Sequence, residues 1–361
     1  MGEGACLLQI GVSREAAYEY SMNAESNARL SDALHRLANE SLRLWDLRPG
    51  ARARLLHVSE NATFLVEAPG GGKRVLRVHR EGYHSRNAIS WELAWMRALR
   101  REAGVFAPLP VAGRDGVEIQ SGATEGLARA RHMVLFEFVE GRQPQEGEDL
   151  REPFRLLGEV CARTHLHALS WPRGAGFERL IWDEAHIFRP HMIWGDWREA
   201  PGVGAAERDI LERQERVLRE RLAAYGKGRE VFGLIHADMR LANLLVPDAG
   251  GGGEGGGAPR LIDFDDCGLG WHLYDFAAAV SFMEERSDIG ELFACWLRGY
   301  EGLRRLRPED KAEMETFVML RRMALLAWVG THMHTDAARA AAPGFAAGTA
   351  ALAENHLRRF G

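Results

Sequence analysis

The spacing of apolar residues predicts a strand-rich first part of the chain and a helical second part. From Ser31 to Trp45, apolar side chains recur every three or four residues, which predicts an amphipathic helix with Ser31 as its N-cap. Short apolar runs joined by polar or glycine-rich turns then predict five strands, with one helix between the third and the fourth. The predicted ranges are 53–59, 62–68, 74–80, 86–103 for the helix, 116–120 and 131–139.

Beyond residue 150 the apolar period becomes helical. Phe154, Leu157 and Cys161 share one face of a predicted helix, in which His165 is expected to serve packing or capping. Further helices are predicted over 206–224 and within 272–335.

Two acidic clusters, each at the end of an apolar run, contain the candidate catalytic residues. The first, LIHADMRLANLLV, places His236, Asp238 and Asn243 in the order H-x-D-x-x-x-x-N. In the second, RLIDFDDCGLG, the first acidic residue is Asp263. This is the order of kinase catalytic loops followed by a D-F-x signature, and it indicates phosphoryl transfer. Asp238 then accepts the proton of the attacking hydroxyl and orients it. Asn243 and Asp263 supply oxygen ligands for Mg²⁺.

The neighbours of these residues have supporting roles in this hypothesis. The planar guanidinium of Arg240 suits phosphate oxygens, so Arg240 is expected to reach the transferring phosphate. His236 is expected to brace the loop rather than act as the base. Asp265 or Asp266 either helps to hold a second metal ion or caps the turn. The alternative for the whole pattern is that Asp and Asn only form turns, but apolar runs on both sides favour a hairpin with metal ligands on both arms.

The same residues resemble a known group of enzymes. IHADMRLANLL and LIDFDDCGLGWHLYDFA resemble the aminoglycoside phosphotransferase/choline kinase superfamily of protein-kinase-like enzymes. VLRVHREGYHSRNAISWELAWMRAL and RRMALLAWV are similar to its RdoA-type branch of stress-response Ser/Thr kinases and homoserine kinase-like enzymes. The resemblance implies ATP as phosphoryl donor. It also implies an α+β, two-lobed protein-kinase-like fold, with a small antiparallel-sheet N-lobe and a mainly helical C-lobe, and an Asp275 that braces the catalytic loop.

This fold predicts a division of the chain into three parts. Residues 1–26 show no clear period and are expected to be a loose extension, followed by a nucleotide-covering N-lobe over 27–139 and a C-lobe over 140–361 with the catalytic loop, the metal site and the acceptor site. The tryptophan-rich segment 171–200 is either an acceptor-site insert or a hydrophobic cover between helices. The glycine-rich stretch 248–260 is expected to be a flexible hairpin tip.

The kinase pattern also predicts residues that hold the nucleotide. Kinases pair a lysine on the third strand with a glutamate on the next helix, and the matching positions here are Arg77 and Glu92. Because arginine is by far the commoner basic residue in this chain, Arg77 is interpreted as a working substitute, with Lys73 as the weaker candidate. The alternative is a surface arginine and a solvent-facing glutamate.

Two backbone segments complete the predicted nucleotide site. No G-x-G-x-x-G joins the first two strands, so the turn over 59–63, which includes Asn61, is expected to cover the phosphates with its N–H groups. The connector between the lobes is expected to hydrogen-bond the adenine through the backbone of Glu137, Phe138 and Val139.

Composition is consistent with an intracellular enzyme. A chain of 361 residues is long enough for two lobes with sizeable cores. The net charge of −5 implies no general affinity for nucleic acid or for anionic membranes. The four cysteines lack C-x-x-C spacing, and no apolar run has the length of a membrane span. We therefore expect a cytoplasmic monomer or homodimer without a zinc site.

Three functions remain open from the sequence. The first is Mg-ATP-dependent phosphorylation of a small-molecule hydroxyl on an amino alcohol, a homoserine-like metabolite or an aminoglycoside-like antibiotic. The second is a Ser/Thr protein kinase of the stress-response type, although no long activation segment with an APE-like anchor follows Asp263. The third is a nucleotide-binding regulator without turnover; the arginine at position 77 leaves it open, whereas the intact Asp238, Asn243 and Asp263 argue against it.

Overall fold

The computed structural model of the protein describes residues 14–58, 61–189, 193–246 and 259–361, with side chains from residue 28 onward. These residues form two compact units. The first takes in the chain up to Tyr83 together with 111–135 and 334–336, and the second takes in 84–110, 136–333 and 337–361. The predicted hairpin tip over 248–260 lies almost wholly outside the described residues, as do residues 1–13 of the predicted loose extension.

Helices and strands alternate early in the chain, and helices dominate later. The α-helices are α1 (Arg14–Ser41), α2 (Arg86–Ala98), α3 (Arg151–Ser170), α4 (Glu184–Ile187), α5 (Ala205–Tyr225), α6 (His272–Ala279), α7 (Ile289–Glu301), α8 (Pro308–Ala312), α9 (Met314–Thr331), α10 (Asp336–Ala341) and α11 (Phe345–Phe360). The strands are β1 (Arg52–Val58), β2 (Ala62–Glu67), β3 (Lys73–Val78), β4 (Pro110–Val111), β5 (Ile119–Gly122), β6 (Arg131–Glu137), β7 (Leu180–Trp182), β8 (Phe232–Ile235), β9 (Leu244–Leu245), β10 (Arg260–Leu261) and β11 (Gly268–Trp271).

The larger sheet has the strand order β1-β2-β3-β6-β4, with β5 paired to β6. β1, β2 and β3 pair antiparallel, as do β5 and β6, which confirms the predicted antiparallel sheet. Phe64 and Leu76 on its buried face share one apolar cluster with Leu37 of α1 and with Trp45, which follows α1. Burial of these side chains removes apolar surface from water and so stabilises the first unit.

The first helix is longer than the sequence pattern predicted. It begins at Arg14 rather than at Ser31, so Ser31 lies inside the helix and the N-cap assignment was wrong. Residues 14–30 are rich in alanine and glutamate and contain no proline or glycine, so they favour a helix without showing a clear apolar period. The predicted apolar face is confirmed by the burial of Leu34, Leu37 and Trp45.

Helix α2 belongs by its contacts to the second unit, whereas the predicted boundaries placed it in the N-lobe. The hydroxyl of Ser85 caps its N-terminus by accepting from Ala88 N at 3.0 Å. The helix ends in a π-helical turn, Leu99–Ala103, which Gly104 terminates with a left-handed φ of 65°. The ring of Trp95 packs against Phe264, with centroids 5.8 Å apart.

The second unit surrounds two short pieces of sheet with helices. β8 and β7 flank β11, antiparallel and parallel respectively, and β9 pairs antiparallel with β10. Helices α3 and α7 cross at Gly158 and Gly299. Their backbones are so close there that a Cβ on Gly299 would lie 1.9 Å from the carbonyl oxygen of Arg155. In the parts of the chain that the structure describes, no helix is both long and apolar enough to cross a membrane.

Candidate active site

The first acidic cluster forms a tight loop directly after β8. The strand ends at Ile235, and the chain then turns sharply because Ala237 has a positive φ of 66°. A 3₁₀ turn, Leu241–Asn243, brings Asn243 back to Asp238. Asn243 Nδ2 donates to the backbone carbonyl of Asp238 at 2.8 Å and to its carboxylate Oδ2 at 2.7 Å. Two residues that the sequence assigned to one site therefore lie in direct contact.

Three donors hold the carboxylate of Asp238. Besides Asn243, Arg240 Nε donates to Oδ2 at 3.1 Å and Arg321 Nη2 donates to Oδ1 at 2.7 Å. Burial alone would raise the pKa of Asp238, but the guanidinium groups of Arg240 and Arg321 lower it to about 2. The carboxylate is therefore ionised at neutral pH and fixed in orientation. The predicted contact of Arg240 with a transferring phosphate stays a prediction.

The second acidic cluster is joined to the catalytic loop through the backbone. Ile262 N donates to the carbonyl of Asn243 at 2.9 Å, which places Asp263, the next residue, close to Asn243. Asp263 is exposed and has a positive φ of 61°. Since Nδ2 of Asn243 faces Asp238, its Oδ1 is directed away from that carboxylate. An amide oxygen and a carboxylate in this arrangement are hard ligands, so the residues present fit a divalent cation.

Asp265 is placed differently from Asp263. Its side chain is buried, with Oδ2 3.5 Å from Nε2 of His84. Its backbone carbonyl lies 2.9 Å from the same His84 nitrogen and also accepts from Arg179. These contacts favour the alternative in which Asp265 shapes the turn, and its predicted role as a metal ligand stays a prediction.

His236 lies inside the loop rather than at its surface. Its Nδ1 accepts from the backbone N–H of Asp238 at 3.3 Å, and its Nε2 therefore donates to the carbonyl of Ile262 at 3.2 Å. Burial lowers the pKa of His236, so the ring is neutral at pH 7. These contacts agree with the bracing role expected for His236.

Asp275 holds the loop after β8 in place through its carboxylate. It lies at the start of α6, fully buried, and accepts from the backbone N–H groups of His236 at 3.0 Å and of Ala237 at 2.6 Å. Burial raises the pKa of Asp275 to about 6 against the opposing effect of these hydrogen bonds. His165 Nε2 lies 2.9 Å from Asp275 Oδ2, and its Nδ1 lies 3.0 Å from the hydroxyl of Tyr300. His165, expected only to pack or cap, thus completes a buried network under the catalytic loop.

Glu92 has a partner that the sequence did not reveal. Its side chain is fully buried, and its Oε2 lies 3.8 Å from Nη1 of Arg179. Arg179 Nε also donates to the carbonyl of Cys267 at 2.6 Å, and its Nη2 donates to the carbonyls of Phe264, at 3.4 Å, and of Asp265. Arg179 therefore links α2 to the loop that carries Asp263. No local sequence signal marks this arginine, since it lies 86 residues from Asp265.

The predicted nucleotide residues of the first unit occupy ordered positions in its sheet. Arg77 is 6% exposed and pairs in register with Thr63 of β2, so the alternative of a surface arginine was wrong. The solvent-facing alternative for Glu92 was wrong as well. The predicted pairing of Arg77 with Glu92 stays a prediction. The Oδ1 of Asn61 accepts from the backbone N–H of Arg80 at 3.0 Å, and Ser59 and Glu60 lie outside the described residues.

In the predicted connector, the backbone N–H of Glu137 already has a hydrogen-bond partner. The N–H of Glu137 donates to the carbonyl of Leu109 at 2.9 Å, and its carboxylate pairs with Arg100. An adenine contact at Glu137 must therefore use the carbonyl, with Phe138 or Val139 providing any N–H. The adenine contacts of these three residues stay predictions.

The tryptophan-rich segment is largely packed into the second unit. Trp182, Trp194 and Trp197 are each at most 5% exposed, and the rings of Trp182 and Trp194 meet edge to face at 4.9 Å. Trp194 lies with its ring 5.0 Å from the guanidinium carbon of Arg321, the residue that binds Asp238. These contacts favour the alternative of a hydrophobic cover between helices, and the role of the segment stays a prediction.

The family of the chain follows from a match over residues 25–308 to the phosphotransferase enzyme family, APH. Because this match spans more than half of the sequence, the chain belongs to that family. It is an enzyme, a phosphotransferase that uses a hydroxyl group as acceptor.

Solved structures give the same assignment. A microcompartment-associated aminopropanol kinase is 42% identical, covers 89% of this chain and 97% of its own, and superposes with a TM-score of 0.79. The amicoumacin kinase hAmiN, solved with AMP-PNP, Ca²⁺ and Ami, is 20% identical over 86% of this chain and 91% of its own, with a TM-score of 0.67, and supports the fold alone. The predicted protein-kinase-like fold is thereby confirmed, whereas the RdoA-type branch stays a prediction.

Among curated proteins, an uncharacterised protein of Deinococcus radiodurans is 28% identical over 277 residues. The match covers 74% of this chain and 73% of that protein. An uncharacterised protein of Synechocystis is 24% identical over 281 residues, which is 75% of this chain and 71% of that protein.

Proposed function

We propose that this protein transfers the γ-phosphate of Mg-ATP to the hydroxyl group of a small amino alcohol. The observation that carries the proposal is its 42% identity, over nearly the full length of both chains, to an aminopropanol kinase. The geometry around Asp238 supports it, because Asn243, Arg240 and Arg321 hold an ionised carboxylate in one orientation, which suits the positioning of a hydroxyl acceptor.

Asp238 acts in this proposal mainly by orientation. A carboxylate with a pKa of about 2 is a weak base, so it gains little by removing the hydroxyl proton early. Phosphoryl transfer proceeds through a loose transition state in which the hydroxyl becomes acidic only late. A fixed carboxylate that accepts the hydroxyl's hydrogen bond can therefore hold the acceptor in line with the phosphate and take the proton at the end.

The metal site consists of Asn243 and Asp263 in this proposal. A bound Mg²⁺ ion neutralises charge on the β- and γ-phosphates. The remaining task of the chain is to keep the two ligands in register, which the hydrogen bond from Ile262 N to the Asn243 carbonyl does at 2.9 Å. In this proposal Arg240, whose side chain is 41% exposed, exchanges its contact with Asp238 for one with phosphate.

The test is ADP release from Mg-ATP across a panel of acceptors. The panel holds 1-amino-2-propanol, ethanolamine, choline, homoserine, hydroxylysine, an aminoglycoside and a generic protein substrate, with Asp238→Asn as the control enzyme. We expect turnover with one or more small amino alcohols that the variant loses. Phosphate appearing only on protein would replace this proposal with the protein-kinase alternative. ATP binding without any acceptor-dependent turnover would favour the regulator instead.

A further inference from the structure

Arg321 is the most connected side chain at the catalytic carboxylate. It lies on α9, is 2% exposed, and binds Asp238 Oδ1 at 2.7 Å through Nη2. Its Nη1 donates to the carbonyl of Ala237 at 3.0 Å and to the hydroxyl of Tyr274 at 3.4 Å, and its Nε donates to the hydroxyl of Ser281 at 3.2 Å. One guanidinium thus joins the catalytic loop to α6 and to the turn that follows α6.

The neighbouring Arg322 shows that burial on α9 does not by itself produce this arrangement. Arg322 is 4% exposed and pairs with Glu284 at 2.8 Å and with the hydroxyl of Thr349 at 2.9 Å, and its guanidinium lies 3.7 Å from the ring centroid of Phe345. It makes a buried ion pair of the ordinary structural kind. Two adjacent, equally buried arginines therefore have different partners, and Arg321 is the one that contacts Asp238.

Backbone strain is concentrated around the same guanidinium. Among the described residues, the non-glycine positions with positive φ are Ile193, Ala237, Asp263 and Phe282. Ala237 accepts from Arg321 directly. Phe282 follows Ser281, whose hydroxyl accepts from Arg321, and Ile193 precedes Trp194, whose ring lies against it. Such conformations are unfavourable for residues with a side chain and persist only where surrounding contacts enforce them.

We propose that Arg321 is a positioning residue for phosphoryl transfer. Its guanidinium fixes the carboxylate of Asp238 and holds this carboxylate in position relative to the strained backbone at Trp194 and Phe282. The fork of a guanidinium is needed because its N–H groups serve the carboxylate, the Ala237 carbonyl and Ser281 at once. A lysine carries the same charge but has a single ammonium group on a flexible stem, so it cannot serve these acceptors together. The proposal rests on the phosphotransferase function proposed above.

The experiment compares Arg321→Lys and Arg321→Met with Arg322→Lys as the matched control on the same helix. With the best acceptor, we expect Arg321→Lys to lower kcat by about 100-fold while leaving the KM for ATP within about threefold, because the carboxylate is misplaced but the nucleotide site is intact. We expect Arg322→Lys to keep kcat within about threefold. Melting temperatures of all variants separate loss of positioning from loss of folding.

The split between kcat and KM is the readout that a merely structural arginine would not give. A general loss of structure would lower the melting temperature and weaken ATP binding together with kcat, whereas a misplaced Asp238 carboxylate lowers kcat alone. Equal kcat losses in Arg321→Lys and Arg322→Lys, or a KM for ATP that rises as far as kcat falls in Arg321→Lys, would overturn the proposal. A wild-type enzyme inactive with every acceptor would instead overturn the proposed function and this inference with it.

Discussion

Arg179 and Glu92 face each other inside the second unit, with Nη1 and Oε2 3.8 Å apart and both side chains at most 1% exposed. The same guanidinium binds the carbonyls of Phe264 and Cys267 on either side of the turn. A buried arginine that binds backbone carbonyls fixes the path of the chain, because moving the chain would leave charged N–H groups without acceptors. Helix α2 is thereby connected to the loop that carries the candidate metal ligand Asp263.

This relationship predicts that Arg179→Lys weakens metal binding without touching the metal ligands. Lysine cannot reach the three carbonyls together, so the loop loses its fixed path. We expect the affinity for Mn²⁺, used as a spectroscopic probe, to fall roughly 10-fold, as for other residues that support metal ligands. Arg173→Lys, at an exposed site in the same segment, is the control and should bind Mn²⁺ like the wild type.

Substitutions of Asp263 and Asp265, the two acidic positions compared in this loop, should have different effects in the same Mn²⁺ titration. Asp263→Asn removes a ligand charge and should weaken Mn²⁺ binding by at least about 10-fold while leaving metal-free ATP binding unchanged. Asp265→Asn changes a buried side chain beside His84, so it should lower the melting temperature while leaving the affinity for Mn²⁺ close to that of the wild type. If Asp265→Asn weakened Mn²⁺ binding as much as Asp263→Asn does, Asp265 would be a metal ligand after all.

Asp275 offers a test of how far the catalytic loop depends on its brace. Asp275→Asn keeps the size of the side chain but replaces one of the two oxygens that accept from His236 and Ala237 with a donor. We expect a loss of about 1–3 kcal/mol in unfolding free energy, the cost of a buried unsatisfied backbone group, and a lower kcat. Chemical denaturation measures the first and steady-state kinetics the second. Wild-type values for both would show that the loop holds its shape without this carboxylate.

Because His356 is buried, we expect the protein to lose stability in mild acid. It is 4% exposed, between Gln214 and Thr316, and burial followed by the nearby Arg221 and Arg359 lowers its pKa from 6.5 to about 4. Below pH 6.5 the unfolded chain binds a proton that the folded chain refuses, so stability falls as the pH drops and levels off below about pH 4.

The difference between a pKa of 6.5 in the unfolded chain and about 4 in the folded one limits this effect to at most roughly 3.5 kcal/mol. Denaturant unfolding of the wild type and of His356→Asn at pH 7 and pH 4.5 measures it. The variant should lose less stability than the wild type between the two pH values. An equal loss would assign the acid sensitivity to other groups, such as the buried His165 and His272, whose pKa values burial also lowers.

The parts of this account that were predictable from sequence are those encoded locally. Asp238 and Asn243 are five residues apart, so their spacing was enough to assign both to one loop, in which a single turn brings them into contact. Arg321 lies 83 residues from Asp238, and nothing near it in the sequence distinguishes it from Arg322. Long-range partners of this kind are set by the packing of helices, which apolar periodicity describes only as a buried face. The start of α1 was missed for a related reason, since alanine and glutamate favour a helix without defining a face.

The central claim is tested most directly by following the phosphorus-31 NMR spectrum of Mg-ATP with 1-amino-2-propanol, in the presence of the wild-type enzyme and of Asp238→Asn. The account predicts that ADP and a phosphate monoester of the amino alcohol appear together with the wild type, and that the variant, which still binds ATP, forms neither at a comparable rate. Monoester formed equally fast by Asp238→Asn would contradict the role of Asp238. ATP left intact by the wild type with this and every other amino alcohol would contradict the proposed acceptor class.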